Sequence, residues 1–297
     1  MSNILNIIQS KIKSKILKDY DMRSSTWFRA GGNAKGYVIV NNISDLKTII
    51  SYAEQIKYYI LGAGSNLMVR DKGFDGLVIK LGRNFNNIKI KKNILSVGAG
   101  VLDIYLAKFA TKNSIKDFEF FTGIPGTIGG AVKMNAGCYG CQTADNLKRI
   151  LLINKIGKIQ YMNNEELKLS YRSSNLSDEL IVLQADFNFE YASKSKIIEK
   201  NNLIKLRRNN SQPIKEKTSG STFKNPPGKF AAALIEDAGC KGMKIGGASV
   251  SKIHSNFIIN DCEATALDIE NLGKKIIKKV QEKFGVTLEW EIKIIGR

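Results

Sequence analysis

The sequence predicts an α+β protein of two domains, and three observations carry that reading. Strand-like and helix-like stretches alternate irregularly over the first two-thirds, without the regular rhythm of a βαβ fold. Two glycine-rich segments, at 62–66 and 123–140, interrupt them. The 297 residues exceed one domain of ordinary size, and a lysine-rich helical stretch at 195–210 offers a boundary. The expected division is 1–200 and 201–297.

The elements follow from periodicity. Ile4, Ile8, Ile12 and Ile16 recur every four residues between lysines, which predicts an amphipathic helix over 1–20. No uninterrupted apolar core follows those charges, so a signal peptide is not expected. A strand is predicted at 36–40 and a helix at 44–55, capped by Ser44. Further strands are expected at 58–61, 77–80 and 94–97. The stretch 101–113 reads as a helix with Leu102, Tyr105, Leu106 and Phe109 on its apolar face. A hairpin is expected from 147–154 and 159–162 about Gly157 and Lys158, then a short helix over 164–169. From Leu183, residues alternate so cleanly that a half-buried strand is predicted over 183–191. In the last third, a helix at 230–238 is stopped by Gly239. Thr265 and Asp268 form a capping box, opening a helix that turns Ile269, Leu272, Ile276, Val280 and Phe284 to one side and ends at Gly285. The chain closes on a strand with Leu288, Trp290, Ile292 and Ile294 on one face and Glu289, Glu291 and Lys293 on the other.

Composition narrows the function classes. The hydrophobic fraction of 43% suits ordinary globular cores. No apolar run reaches the length of a membrane span, and a cytoplasmic location is expected. The formal charge is +19, from 46 basic and 27 acidic residues. A polyanion partner would use such charge. The lysines are scattered over helix faces instead of forming one stripe, and no nucleic-acid-binding motif accompanies them, so no specific nucleic-acid partner is expected. Cys138 and Cys141 form a C-x-x-C, but Cys240 and Cys262 are too far apart for a second metal-ligating pair. Reduced, non-catalytic thiols and no metal are expected.

The glycine segments carry the chemistry. Gly62, Ala63, Gly64, Ser65 and Asn66 follow a strand directly. Small residues let a backbone approach a ligand closely, and consecutive N–H groups cradle pyrophosphate. A tight turn between strands would also use such residues, and the third glycine and following helix of a Rossmann fingerprint are missing. The second segment is denser, with Gly123, Pro125, Gly126, Thr127, Gly129 and Gly130, then Asn135 and Gly137. Such a stretch is not expected to be the interior of any regular helix or strand. The segment reads as backbone wrapped around something flat and charged.

Taken together, the strand into Gly62-Ala63-Gly64-Ser65-Asn66 and the later Gly123-Ile124-Pro125-Gly126-Thr127-Ile128-Gly129-Gly130 resemble the FAD-binding domain of the vanillyl-alcohol-oxidase (PCMH) class. The resembling core runs over about 26–192 in two α+β lobes. Asn135-Ala136-Gly137 with Tyr139-Gly140, Tyr171-Arg172-Ser173-Ser174, and Gly220-Ser221-Thr222-Phe223-Lys224-Asn225-Pro226 narrow the resemblance. So do Leu234-Ile235-Glu236, Gly246-Gly247-Ala248, His254-Ser255-Asn256-Phe257 and Leu288-Glu289-Trp290-Glu291. In that order they resemble the UDP-N-acetylenolpyruvoylglucosamine reductases. Two positions depart from the pattern. Trp290 stands where many members have Pro. Ser211 stands where some have Lys, leaving Arg207, Arg208 and Lys224 as phosphate-binding candidates. The short interval 173–220 leaves little room for a substrate-covering insertion, so the shorter subgroup is expected.

The resemblance implies a flavoenzyme with bound FAD and NADPH as hydride donor. It would reduce the enolpyruvyl group of UDP-N-acetylenolpyruvoylglucosamine to UDP-N-acetylmuramate for peptidoglycan synthesis. The two glycine loops would hold the cofactor. Arg172, a planar cation that stays charged, would meet the carboxylate and the developing enolate. Ser221 would supply the proton, and Glu291 would assist it. Tyr171, Arg208, Lys224 and Asn225, with Tyr139, would contact the substrate's UDP part. His254, the only histidine, would be structural or a ligand contact. A monomer is expected. Another flavoenzyme on the same scaffold, such as an alcohol or aldonolactone oxidase, would share the loops but lack the Ser221 and Glu291 motifs.

Overall fold

The N-terminal isoleucines do not build one long helix. In the computed structural model, which describes residues 2–297, the helix is Ser2–Gln9 and the chain then enters the strand Ile16–Asp21. The first residue of the predicted helix lies outside the described residues. The Gln9 side chain closes the bend, accepting from the Ile16 amide at 2.7 Å and donating to the Ser14 carbonyl at 3.2 Å. Ile8, Ile12 and Ile16 are all buried, so one apolar repeat serves a helix and then a strand. Among the described residues no helix is long and apolar enough to cross a membrane.

The chain divides into two units. The first comprises the N-terminal stretch to Lys18, Gly36–Ala63 and Gly76–Arg207; the second comprises Asp19–Lys35, Gly64–Asp75 and Arg208–Arg297. Two early segments, Asp19–Lys35 and Gly64–Asp75, thus group with the last third.

A five-stranded antiparallel sheet organises the first unit. Its order is Ile159–Asn163, Leu147–Ile153, Ile181–Asn188, Ile94–Gly98, Ile88–Lys91. Its central strand was expected to be half-buried, yet nearly all of it is buried. Asp186 survives there at 2% exposure because Arg149, Ser96 and Gln184 all donate to its carboxylate. A second sheet runs in the order Ile16–Asp21, Asn33–Val40, Phe74–Leu81, Tyr58–Leu61, with the last pair parallel. Two helices differ from expectation. The helix Ile43–Ile50 is capped by Asn42, whose side chain accepts from the Asp45 amide, and not by Ser44. On Asp103–Lys112 the buried face is Asp103, Leu106, Ala107 and Ala110, while Tyr105 points outward.

The second unit packs the helix Ala266–Phe284 against the three-stranded antiparallel sheet Lys244–Ile245, Ala248–Val250, Ile258–Asn260. Thr265 and Asp268 cap it as a box and Gly285 closes it in the left-handed region. Ile269, Leu272, Ile276 and Val280 are fully buried, each contributing roughly 1.5–3 kcal/mol of burial. Phe28 and Met68 join the same core. The C-terminal strand is shorter than expected: Lys293–Ile295 pairs in parallel with Leu67–Val69. The preceding residues keep the alternation through single ladder contacts, Lys224 N to Glu289 O and Glu291 N to Thr222 O.

Candidate active site

Gly62, which opens the first glycine segment, meets the second segment within the first unit. The parallel strand Tyr58–Leu61 delivers the chain to Gly62. A β-carbon on Gly62 would lie 2.6 Å from the Thr127 hydroxyl oxygen. The absent side chain thus lets the first loop close on the second. A β-carbon on Gly126 would run into the Asp103 carboxylate, and one on Gly129 would press on Ala99 at 3.1 Å. Gly123 leaves space for Cys138 Sγ and the Tyr139 ring. Pro125 and Gly130 complete the segment, in which residues 123–126 are half-buried and carry small side chains or none apart from Ile124 and Pro125. Such a surface fits a flat, phosphate-bearing cofactor.

The second segment is more regular than its composition suggested. Ile128–Met134 is a helix despite Gly129 and Gly130. Close packing against Ala99 outweighs the glycine entropy cost, which is about 1 kcal/mol per residue. Asn135 ends it with φ 42°. A small hairpin follows, Gly137–Cys138 against Cys141–Gln142. Its two turn residues, Tyr139 and Gly140, both have positive φ, as a primed turn requires. Tyr139 is exposed at the tip. Cys138 and Cys141 are register partners but form no disulfide, and burial pushes the Cys141 thiol up.

Arg172 sits on a second tight turn. Ser170 and Ser173 exchange backbone hydrogen bonds at 3.1 Å each, so Tyr171 and Arg172 form the tip. Arg172 takes φ 53°. Its guanidinium stacks near the Tyr171 ring at 5.0 Å, and Nη2 donates to the Gly137 carbonyl at 2.8 Å.

Asp103 was not singled out by the sequence reading. It is fully buried, neither carboxylate oxygen has a hydrogen-bond partner, and burial pushes its carboxyl well above the ordinary range. Its first-turn position on an amphipathic helix resembles an ordinary N-terminal acid. Only the fold shows it lodged behind Gly126.

The second unit holds the remaining candidates. Gly64 has φ 72° and lies tight against the Ser25 carbonyl. Its own carbonyl accepts from the Trp27 amide at 3.0 Å. Ser65 is half-buried. Asn66 reaches the C-terminal segment: Nδ2 donates to the Glu291 carbonyl at 3.1 Å, and its carbonyl accepts from the Lys293 amide at 2.9 Å. The first glycine loop thus fixes the backbone that carries Glu291.

Ser221 is half-buried, and the strand segment after it is held by Asn256. The Asn256 carbonyl accepts from the Thr222 amide, its Oδ1 from the Phe223 amide, and its Nδ2 donates to the Phe223 carbonyl. His254 supports the same turn: its Nδ1 accepts from the Asn256 amide at 3.3 Å, its ring packs edge-on to Phe257, and burial lowers its pKa. Lys224 pairs with Glu289 at 3.2 Å. The Asn225 Oδ1 accepts from the Ala231 amide at 3.0 Å, at the start of the helix Ala231–Asp237. Arg208 donates to Gln212 one helical turn on. Trp290 lies over Gly273, where a β-carbon would strike its ring, and tilts against Phe223 at 5.0 Å.

Two family profiles match the chain. A profile of the FAD binding domain matches residues 34–163. A profile of the UDP-N-acetylenolpyruvoylglucosamine reductase C-terminal domain matches residues 212–295. Fold and loops therefore define an α+β oxidoreductase built on a FAD-binding domain. Relatives over nearly the whole chain specify it further. The UDP-N-acetylenolpyruvoylglucosamine reductase of Rickettsia conorii is 47% identical over 287 residues, 96% of this chain and 97% of that protein. That of Rickettsia akari is 44% identical over 98% of this chain and 99% of its own. The crystal structure of the Thermus caldophilus enzyme superposes with a TM-score of 0.83 at 33% identity, covering 95% of this chain and 98% of that one. The chain belongs to the UDP-N-acetylenolpyruvoylglucosamine reductase family.

Proposed function

We propose that the protein is the NADPH-dependent flavoenzyme that reduces the enolpyruvyl group of UDP-N-acetylenolpyruvoylglucosamine to UDP-N-acetylmuramate, acting in the cytoplasm as a monomer. The supporting observation is the full-length likeness, which runs through both glycine loops and through the segments bearing Arg172, Ser221 and Glu291. The short interval 173–220 supports the subgroup without a substrate-covering insertion.

Bound FAD would supply hydride transfer, taking hydride from NADPH and giving it to the enolpyruvyl methylene carbon. Residues 62–66, 123–130 and 137 would hold that cofactor with their backbone. Arg172 binds the substrate carboxylate and stabilises the negative charge that grows on it and the adjoining carbon. The Ser221 hydroxyl delivers a proton to that carbon, and the Glu291 carboxyl assists the transfer. Tyr139, Tyr171, Arg208, Lys224 and Asn225 contact the nucleotide part.

An anaerobic two-step titration tests the reading. NADPH should bleach the flavin, and the enolpyruvyl nucleotide should then restore the oxidised spectrum. A folded protein that takes up no flavin, or a reduced flavin indifferent to the nucleotide, would overturn it.

A further inference from the structure

Asn135 belongs to the glycine-rich segment, yet its side chain is spent on protein partners. It is fully buried, and both polar atoms are engaged. Nδ2 donates to Gln142 Oε1 at 3.0 Å and to the Ser170 carbonyl at 2.9 Å, while Oδ1 accepts from the Ala144 amide at 3.0 Å. These three bonds join three segments: the end of the helix Ile128–Met134, the hairpin of Gly137 and Gln142, and the turn that begins at Ser170.

The turn and the hairpin matter because Arg172 depends on both. Its backbone sits on the Ser170–Ser173 turn, and its guanidinium rests on the Gly137 carbonyl. Gly137 could bear no side chain, since a β-carbon would strike the Cys141 carbonyl and Gln142. The carbonyl that receives Arg172 is therefore set by the hairpin register, in which Gly137 opposes Gln142. Ser174 adds one more tie, donating to the Lys133 carbonyl at 2.7 Å. Asn135 bonds to both supports through one side-chain nitrogen. Its left-handed backbone turns that side chain inward, a conformation Asn adopts more readily than most residues.

We infer that Asn135 is a positioning residue for Arg172: it locks the Ser170–Ser173 turn to the Gly137–Gln142 hairpin, so that the guanidinium is held in one orientation for the enolpyruvyl carboxylate. The inference rests on the reading of Arg172 given above. It assigns Asn135 a role behind the site, in place of the direct cofactor contact its motif suggests.

Three variants test it in the FAD-loaded enzyme by stopped-flow measurement of both half-reactions. Asn135→Gly removes the side chain while keeping the left-handed backbone free of strain. Asn135→Asp keeps the acceptor for the Ala144 amide but sets a carboxylate oxygen against two acceptors. Gln142→Leu, a milder change, removes one partner should either of these fold poorly. Flavin content and flavin reduction by NADPH should stay within about twofold of the parent. Reoxidation by UDP-N-acetylenolpyruvoylglucosamine should slow by about 10–100-fold, as misplacement of a catalytic group by an ångström does, with KM for the nucleotide raised. In an Arg172→Ala background, Asn135→Gly should add less than about a further twofold, the sign of two residues acting as a unit.

Equal losses in both backgrounds would show that Asn135 acts independently of Arg172 and would overturn the inference. So would a fall in FAD affinity with reoxidation unchanged, which would mark a cofactor contact. If Arg172→Ala alone reoxidises normally, the reading of Arg172 fails first, and that result is distinct from either of the others.

Discussion

Single residues divide between those that do chemistry and those that hold them. Ser221 is half-buried, and its neighbours Thr222 and Phe223 are pinned by Asn256. Ser221→Ala should therefore leave the fold, FAD uptake and flavin reduction by NADPH intact. It should slow reoxidation by the enolpyruvyl nucleotide by about 10²–10⁴-fold, the usual worth of a positioned acid. Reoxidation at the parent rate would move the proton-donor role elsewhere. Asp103 offers a test of a different kind. Burial raises its carboxyl well above 3.8, with no partner to offset the cost. The folded state then holds this proton more tightly than the unfolded chain. Its effect on stability is least unfavourable below 3.8 and worsens as pH rises toward the raised value. Asp103→Asn keeps the shape and remains neutral. Chemical denaturation should show the variant more stable than the parent by about 1–3 kcal/mol above that window, with the difference vanishing in acid.

At the scale of elements, the glycine loops close because the bare backbone at Gly62 lies against the Thr127 side chain. Gly62 and Thr127 approach so closely that a side chain at 62 forces the loops apart. Gly62→Val should lower FAD affinity by at least about tenfold, read from flavin fluorescence during titration, with little loss of melting temperature because residue 62 lies outside the buried core. Unchanged affinity would mean that the closure of the two loops is irrelevant to the cofactor. The same scale explains the helix Ile128–Met134. Composition argued against it, yet a helix with Gly129 set on Ala99 is what lets the segment pack tightly.

At the scale of the whole molecule, early segments complete a late core. Phe28 and Met68 are fully buried among residues of the last third. The segment at 64–75 is joined to the helix Ala266–Phe284 by Arg70 and Glu270, 2.8 Å apart. Hydrogen bonds from Arg70, then from Lys274, hold the Glu270 carboxyl down to about 2. The stability this contributes is present above the ordinary value of 4.5 and is lost as pH falls through about 2. Glu270→Gln should cost about 1–2 kcal/mol at neutral pH, modest because Arg70 is half-exposed. Parent and variant should converge in acid. A fragment of residues 201–297 lacks Phe28, Ala30 and Met68, and should show no cooperative unfolding transition by calorimetry. A sharp transition would show that the last third closes its own core.

Local signals settled much of this protein. The capping box at Thr265, the hairpin about Gly157, the C-cap at Gly285 and the glycine loops all depend on neighbours a few residues apart, so their chemistry is written in short stretches. The motifs around Arg172, Ser221 and Glu291 were legible for the same reason. What the tertiary structure decided depends on residues far apart. The isoleucine repeat from Ile4 to Ile16 suits a helix throughout, but a neighbouring strand claims its last member. The strand at 181–188 alternates as if half-buried, yet Asp186 on its polar side is buried because Arg149 and Ser96 satisfy it across strands. Asn66 reaches Glu291 over 225 positions, and Asn135 reaches Ser170 over 35. Periodicity reports which face of an element is apolar; it carries no information about which distant backbone will come to lie against it.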